Sequence, residues 1–189
     1  SLVSRISKQY SHMKKHKLAF VDIETTGFST ETQEVIELGV VIAKPTNDDA
    51  TEYEVVEELD LKIKPEHIET ADVQALRVNG YDEGAWIFAH SLKEAMQIFS
   101  DKTDGCVFVA HNVAFDYSFI DRAFHKTGVE DKLFYAKMDT VSMAFAKLHK
   151  KKDIDRFSLR KLCEYFGVEN TKAHTALADA HTTFEVFQH

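Results

Sequence analysis

The sequence predicts a single α/β domain in which a mixed β-sheet carries helices on both faces. Two observations indicate this class. Three strand-like segments come first, and helix-like and strand-like segments then alternate. The 189 residues are 44% hydrophobic and include 14 phenylalanines, which is enough to form a sizeable core. No linker, repeat or low-complexity tract divides the chain, and its length suits one domain or at most two.

The amino-terminal part predicts one short helix and three strands. Val3, Ile6, Tyr10 and Met13 have helical spacing, which indicates an amphipathic helix over residues 3–13. KLAFVDIE is apolar on both faces, as expected of a central strand in a covered sheet. Residues 34–44 predict a second strand, and the alternation in residues 53–64 predicts a half-exposed third. VNGY at 78–81 indicates a turn.

The remaining sequence predicts helices that alternate with short strands. Ser91 and Glu94 form a capping-box pattern that begins a helix toward Thr103. Residues 106–110 and 133–138 predict strands, and the helix between them ends at Gly128. Asp139 is expected to cap a helix that runs to about residue 150. Two more helices follow, one from near residue 158 and one toward residue 189.

Composition indicates a cytoplasmic protein without a membrane segment. No apolar run approaches the length of a membrane span, and residues 1–16 are polar and basic, unlike a secretory signal. We treat residues 1–16 as an amphipathic extension and residues 17–189 as the main domain. Cys106 and Cys163 lie among apolar residues and form no CxxC pair, so buried free thiols are expected. Oligomeric state stays open.

The net charge of −8 argues against a protein that wraps nucleic acid by charge alone. The charge is uneven, however. Residues 48–60 carry seven acids and no base, whereas residues 147–161 are rich in Lys and Arg. Each run by itself is most often a solvated surface. The basic run gains interest if a neighbouring site handles phosphate.

Two carboxylates lie at the end of the first predicted strand, in FVDIETTGF. Residues i and i+2 of a strand point the same way, so Asp22 and Glu24 share a face. Ligands of open α/β sheets bind at this carboxyl end. Unpaired buried carboxylates repel each other, and no Arg or Lys is adjacent in sequence, so a divalent cation such as Mg²⁺ or Mn²⁺ is the natural partner. Alone, a D-x-E pattern is weak support.

Two later segments strengthen the metal hypothesis. HNVAFD places Asp116 in the first turn of a helix, where an acid also favours the helix dipole. HTALAD places Asp179 in the last helix and His174 five residues earlier. The two side chains would diverge by about 140° on one helix, so they converge only if His174 lies in the preceding loop. An ordinary loop histidine is the simpler interpretation of His174 taken alone.

Together, these three motifs resemble those of the DEDDh 3′–5′ exonucleases. FVDIETTGF resembles the first motif, HNVAFD the second, and HTALAD the third with its His-x4-Asp spacing. VIELGVV and MDT also resemble family positions. Members include the proofreading exonuclease subunit of bacterial DNA polymerase III and ribonuclease T. The resemblance covers about residues 17–188 by eye. It implies a ribonuclease H-like mixed sheet with helices on both faces.

The resemblance also implies roles for individual residues. Asp22 would bridge two Mg²⁺ or Mn²⁺ ions, Glu24 and Asp179 would complete the first site, and Asp116 would hold the second. His174 would be the general base, since a histidine pKa of about 6.5 allows it to accept a proton at neutral pH. The implied reaction removes nucleoside 5′-monophosphates one at a time from a single-stranded 3′ end, with two metal ions supporting in-line displacement.

Substrate contacts are expected from the segment after the first strand and from the second motif. The resemblance places Thr25, Thr26 and Gly27 around the terminal nucleotide, and Phe28 on its base. Core burial of Phe28 is an equal alternative. His111 and Asn112 are further candidates, although Asn112 is also expected to cap a helix.

Several alternatives remain at this point. A DNA proofreading or repair enzyme, for which a DNA polymerase is the candidate partner, is favoured over an exoribonuclease of RNA processing or turnover. Two other classes are a non-catalytic nucleic-acid-binding module and a metal-dependent phosphoesterase of small molecules. Retention of all four acids and the histidine argues against the binding module.

Overall fold

The computed structural model describes residues 13–169 and 175–189. A five-stranded sheet of order β3-β2-β1-β4-β5 forms its centre. Strands β1, β2 and β3 pair antiparallel, whereas β4 and β5 run parallel to β1. The strands are β1 Leu18–Thr25, β2 Val35–Pro45, β3 Tyr53–Lys62, β4 Val107–Ala110 and β5 Lys137–Asp139.

Helices cover both faces of this sheet, as the sequence predicts. They are α1 Val73–Val78, α2 Leu92–Lys102, α3 Val113–Thr127, α4 Thr140–Leu148, α5 Leu159–Phe166 and α6 Ala176–Phe187, with 3-10 turns at Met13–Lys15 and Ile68–Thr70. Successive side chains of β1 point to opposite faces. Val21 and Ile23 pack in the cluster that includes Phe99 and Phe119 of α2 and α3. Phe20 packs on the other face, against residues that include Phe184 of α6.

Local signals predicted most element ends correctly. Ser91 and Glu94 form the expected capping box, and Gly128 ends α3 in the left-handed conformation. The Asp139 side chain accepts hydrogen bonds from the amides of Val141 and Ser142 and so caps α4. Cys106 and Cys163 are buried free thiols, and burial raises the pKa of Cys106 to about 11.

Two predictions of secondary structure are corrected. The apolar run at 133–138 predicts a strand, yet β5 begins only at Lys137. Phe134 is buried, but its amide donates to the carbonyl of Cys106 at 2.9 Å and that of Leu133 donates to Asp131, so a loop buries these residues. The sequence reading also missed α1, which Asp72 caps. Of the helix predicted over residues 3–13, only Met13 lies within the described residues.

The acidic run at residues 48–60 begins in the loop before edge strand β3 and continues along that strand, where most of its side chains are exposed. Its carboxylates pair with neighbouring bases: Glu54 with Lys44 at 2.9 Å, Glu57 with Lys102, and Glu58 with His181 of α6 at 2.9 Å. Charges on an edge strand discourage pairing with other chains. In the described part of the chain, no helix is both long and apolar enough to cross a bilayer.

Candidate active site

Three carboxylates from two elements meet at the carboxyl end of β1. Asp22 and Glu24 project from alternate positions of the strand, and Asp179 comes from the first turn of α6. One oxygen from each lies within 4.8 Å of the other two, and all three side chains are half-buried. Oxygens at this separation can share a single cation. The structure therefore brings together residues that lie up to 157 positions apart in sequence (22 and 179).

Asp116 lies beside this group at the start of α3. Its side chain is only 4% exposed, and Oδ1 accepts a hydrogen bond of 3.3 Å from the amide of Ile23. Because Ile23 lies between Asp22 and Glu24 in β1, this bond fixes the fourth carboxylate next to the other three. The pKa of Asp22 is influenced by Asp116, Asp179 and Glu24, which indicates that all four form one electrostatic unit.

Burial and mutual repulsion raise the pKa values of three of these carboxylates. Burial raises the pKa of Asp22 well above its usual value, and the charges of Asp116 and Asp179 raise it further. Burial, with Asp179 and Glu37, raises the pKa of Glu24 to about 7. Burial likewise raises the pKa of Asp116 to about 7, against the hydrogen bond from Ile23. Each anion is thus destabilised in the absence of a cation.

The donor set fits a hard divalent cation. Among residues 13–169 and 175–189, no Lys or Arg forms an ion pair with Asp22, Glu24 or Asp116. Clustered carboxylate oxygens of this kind are the ligands that Mg²⁺ and Mn²⁺ prefer in proteins. His174, the predicted base, lies outside the described residues.

Glu37 and Gly39 of β2 both contact the start of the helix that carries Asp179: Glu37 through a hydrogen bond, and Gly39 by close packing against the backbone of Ala176. Glu37 is 3% exposed, and its Oε1 accepts a 3.0 Å hydrogen bond from the amide of Ala176, the first residue of α6. Lys62 pairs with the other oxygen at 3.6 Å. Burial raises the pKa of Glu37, while Lys62 and the Ala176 amide oppose the rise. No role for either residue is predicted from the sequence, although a glutamate within an otherwise apolar strand is a signal for one.

Thr25 and Thr26 face inward. Thr25 Oγ1 donates to the carbonyl of Gly27 at 2.7 Å, and Thr26 is fully buried with its hydroxyl bonded to Gln33 at 2.7 Å. Both backbone groups of Thr26 are also engaged, by Glu34 and by the amide of Asp72. In contrast, the amides of Gly27 and Phe28 donate no hydrogen bond to any part of the chain that the structure describes.

Phe28 is not a core residue. Its side chain is 83% exposed and lies edge-on to Phe115 at 6.1 Å between ring centroids. Both rings line a cavity of about 300 Å³ that also includes Glu24, Val78 and Asn79. The alternative of core burial is wrong, because the Phe28 ring is exposed and borders a cavity that Glu24 also lines.

His111 and Asn112 lie at the carboxyl end of β4, where α3 begins. His111 is half-buried, and its Nδ1 lies 2.9 Å from Thr140 Oγ1. Burial lowers the His111 pKa, so the neutral ring is favoured. Asn112 adopts a left-handed conformation at the N-cap position with an exposed side chain that does not cap α3. Asp139 Oδ1 instead accepts from the Asn112 amide at 2.9 Å, a contact that the sequence reading missed.

Fold and site together define a class of proteins: ribonuclease H-like α/β domains with a carboxylate cluster at the end of the central strand. Comparisons with known proteins identify the family within it. The family model described as an exonuclease matches residues 19–187. Ribonuclease T of Shewanella denitrificans is 31% identical over 183 residues, which cover 89% of this chain and 77% of the relative.

A second relative and a solved structure agree with this match. The 3′–5′ exonuclease DinG of Staphylococcus saprophyticus is 30% identical over 174 residues, 92% of this chain and 18% of the relative. The zinc-bound complex of E. coli exonuclease I with single-stranded DNA superposes with a TM-score of 0.74 at 17% identity, over 92% of this chain and 40% of that chain. The present chain thus spans less than half of exonuclease I.

This chain belongs to the DEDDh 3′–5′ exonuclease family, and it is a hydrolase of that type. The predicted ribonuclease H-like fold is confirmed.

Proposed function

We propose that the protein hydrolyses single-stranded nucleic acid from its 3′ end and releases nucleoside 5′-monophosphates. The observation that carries this proposal is the convergence of Asp22, Glu24 and Asp179 within 4.8 Å, with Asp116 beside them. Single-stranded DNA in the exonuclease I complex supports a single-stranded substrate. The adjacent cavity of about 300 Å³ would receive the end of the strand.

The four carboxylates would hold two divalent ions, Mg²⁺ or Mn²⁺. Asp22 would contribute to both, Glu24 and Asp179 to one, and Asp116 to the other. When bound, such ions stabilise the attacking and leaving oxygens of a displacement at phosphorus. The net charge of −8 is compatible with this substrate if the cations, rather than basic side chains, meet the scissile phosphate.

His174 would accept a proton from the attacking water. The HTALAD motif connects it directly to the segment that begins α6. A neutral imidazole is suited to this role near pH 7. A variant His174→Ala should retain Mn²⁺ binding and lose most turnover. A loss of Mn²⁺ affinity as large as that of Asp179→Ala would contradict the role of His174 as base.

The terminal nucleotide would occupy the cavity beside Glu24. The exposed ring of Phe28 offers a stacking surface for the base, which tolerates any base identity. The amides of Gly27 and Phe28 would donate to sugar or phosphate oxygens. His111 and Asn112 lie at the carboxyl end of the neighbouring strand β4 and would also contact the nucleic acid.

The decisive experiment incubates the protein and Mg²⁺ with 5′-labelled single-stranded oligonucleotides. Progressive shortening and release of 5′-monophosphates are expected, and EDTA should stop both. Asp22→Ala should abolish the reaction, whereas Asp48→Asn, a change at an exposed carboxylate in a loop, should not. Intact oligonucleotides with the unaltered protein would disprove the exonuclease proposal.

DNA is the first candidate substrate and RNA the second. The exonuclease I complex with single-stranded DNA favours the first, and the similarity to ribonuclease T favours the second. Matched DNA and RNA strands of one sequence, compared by kcat/KM, decide between them. A preference of tenfold or more, which corresponds to about 1.4 kcal/mol, would identify the substrate. A DNA polymerase partner stays a prediction, to be tested by co-purification with the replicative polymerase.

A further inference from the structure

The loop between α4 and α5 carries a net positive charge. This basic loop, residues 149–158, contains the exposed cations Lys150, Lys151, Lys152 and Arg156 together with the exposed acids Asp153 and Asp155. None of the four forms an ion pair with any residue that the structure describes. In contrast, Lys44, Lys102 and Lys132 each pair with a carboxylate elsewhere on the surface. Exposed lysines without an ion pair also occur at Lys14, Lys15 and Lys17, but only here do four cations lie within seven residues, at 150–156, of the described chain. In a chain of net charge −8, such a local cluster can attract an anionic partner.

The basic loop is fixed to the domain close to the candidate active site. Ile154 and Phe157 pack against the core cluster that α4, α5 and α6 share. The backbone of Phe157 forms a hydrogen bond with the ring of His111, at the carboxyl end of β4. Since α3 begins at the next residues and carries Asp116, the basic loop and the carboxylate cluster lie at the same edge of the sheet.

Aromatic surface accompanies the positive charge. Phe145 on α4 is 55% exposed although it is a large apolar side chain. Its ring stacks on His149 at 5.4 Å between centroids and at 26°, and it meets Phe157 edge-on at 5.6 Å. Cations interleaved with exposed rings fit a strand that presents both phosphates and unpaired bases. An acidic peptide would pair with the cations but would have no bases to stack on the exposed rings.

We propose that the basic loop, together with Phe145, binds the phosphates and bases of the substrate strand on the 5′ side of the nucleotide being removed. This inference rests on the proposed exonuclease function and adds a strand-binding surface to its site. The surface would hold the strand through its backbone charge, which is the same for every sequence. Long strands would therefore bind more tightly than a dinucleotide, which ends before the basic loop.

Direct binding tests the surface independently of catalysis. The triple variant K150Q/K151Q/K152Q is compared with K14Q/K15Q/K17Q, which removes three exposed lysines at the amino end of β1, opposite the carboxylates. Binding of a fluorescent single-stranded oligonucleotide is followed by anisotropy in EDTA. The loop variant should bind about tenfold to a hundredfold more weakly at 0.1 M salt, and its slope of log Kd against log salt should fall by about 2. The control variant should bind like the unaltered protein.

Kinetics then separates this proposal from the proposed function. With Mg²⁺, the loop variant should show a raised KM for long strands and a much smaller change in kcat/KM for a dinucleotide. Equal binding by the loop variant and the unaltered protein, or equal weakening by both triple variants, would overturn the proposed surface. Absence of hydrolysis by every protein, together with weaker strand binding by the loop variant, would instead disprove the exonuclease function and leave the surface supported.

Discussion

Gly39 of β2 lies directly against the backbone of Ala176, the first residue of α6. A Cβ atom at position 39 would lie 2.1 Å from the carbonyl carbon of Ala176 and 2.2 Å from the amide nitrogen of Leu177. Gly39 also pairs across the sheet with Asp22, and Asp179 follows Ala176 by less than one helical turn. The absence of a side chain at Gly39 therefore sets how closely Asp179 approaches Asp22.

Replacement of Gly39 by alanine should displace α6 from the sheet. Backbone atoms cannot yield as a flexible side chain can, so we expect a loss of about 1–3 kcal/mol in the free energy of unfolding. Mn²⁺ affinity should also fall, because Asp179 moves away from Asp22. Thermal unfolding and calorimetric titration with Mn²⁺ measure the two effects. Gly84→Ala is the control, since its Cβ would meet only the side chain of Asp82, at 3.1 Å. Unchanged Mn²⁺ affinity in a folded Gly39→Ala protein would contradict this account.

Glu37 provides the second attachment of α6, through the amide of Ala176. Glu37→Ala leaves that buried amide without an acceptor and Lys62 without its partner, so a loss of about 1–3 kcal/mol is expected. Glu37→Gln keeps an acceptor oxygen and should recover most of the Mn²⁺ affinity, even though the negative charge is gone. The two variants are compared by urea unfolding and Mn²⁺ titration. Equal Mn²⁺ affinity in Ala and Gln variants would show that the hydrogen bond does not position Asp179.

The sequence predicted the sheet, the two covered faces and the convergence of Asp22 with Glu24, because strand periodicity and capping act over a few residues. Three motifs in family order also led to Asp116 and Asp179. The roles of Glu37 and Gly39 could not be predicted in this way, since each depends on contact with Ala176 about 140 positions later. Periodicity likewise cannot show that Phe28 lies outside the core. The residues around Phe134 are as apolar as a buried strand, but a loop buries them, and the sequence does not distinguish the two cases.

Stability of the metal-free protein should fall as the pH rises from about 5 to about 8. Glu24 has a pKa of about 7 in the folded state against an ordinary value of 4.5, so the native state holds a proton that the unfolded chain releases. This contribution is fully present below the unfolded pKa and is lost as the pH passes the folded pKa. Allowing for screening by solvent, the loss is on the order of 2 kcal/mol for Glu24.

Mg²⁺ or Mn²⁺ should reverse that loss, because a bound cation replaces the protons. The increase in Tm on adding Mn²⁺ should be larger at pH 8 than at pH 5.5, where protons compete for the same oxygens. Differential scanning calorimetry with and without EDTA checks both statements. Glu24→Gln should make the pH dependence of the metal-free protein shallower, with the remainder due to Asp22 and Asp116, whereas Asp48→Asn should leave it unchanged. A metal-free protein whose stability rises through this window would be inconsistent with the raised pKa values.

Phe28→Ala should weaken substrate binding with little effect on folding. The ring is 83% exposed, so its removal should change the free energy of unfolding by about 0.5 kcal/mol or less. Base stacking on an aromatic ring is worth about 1–3 kcal/mol, so KM should rise about tenfold while kcat changes less. Phe28→Trp should preserve KM. The matched control is Phe88→Ala, which removes a ring that is 95% exposed and does not line the cavity beside Glu24. If Phe28→Ala and Phe88→Ala raise KM equally, Phe28 does not stack on the terminal base.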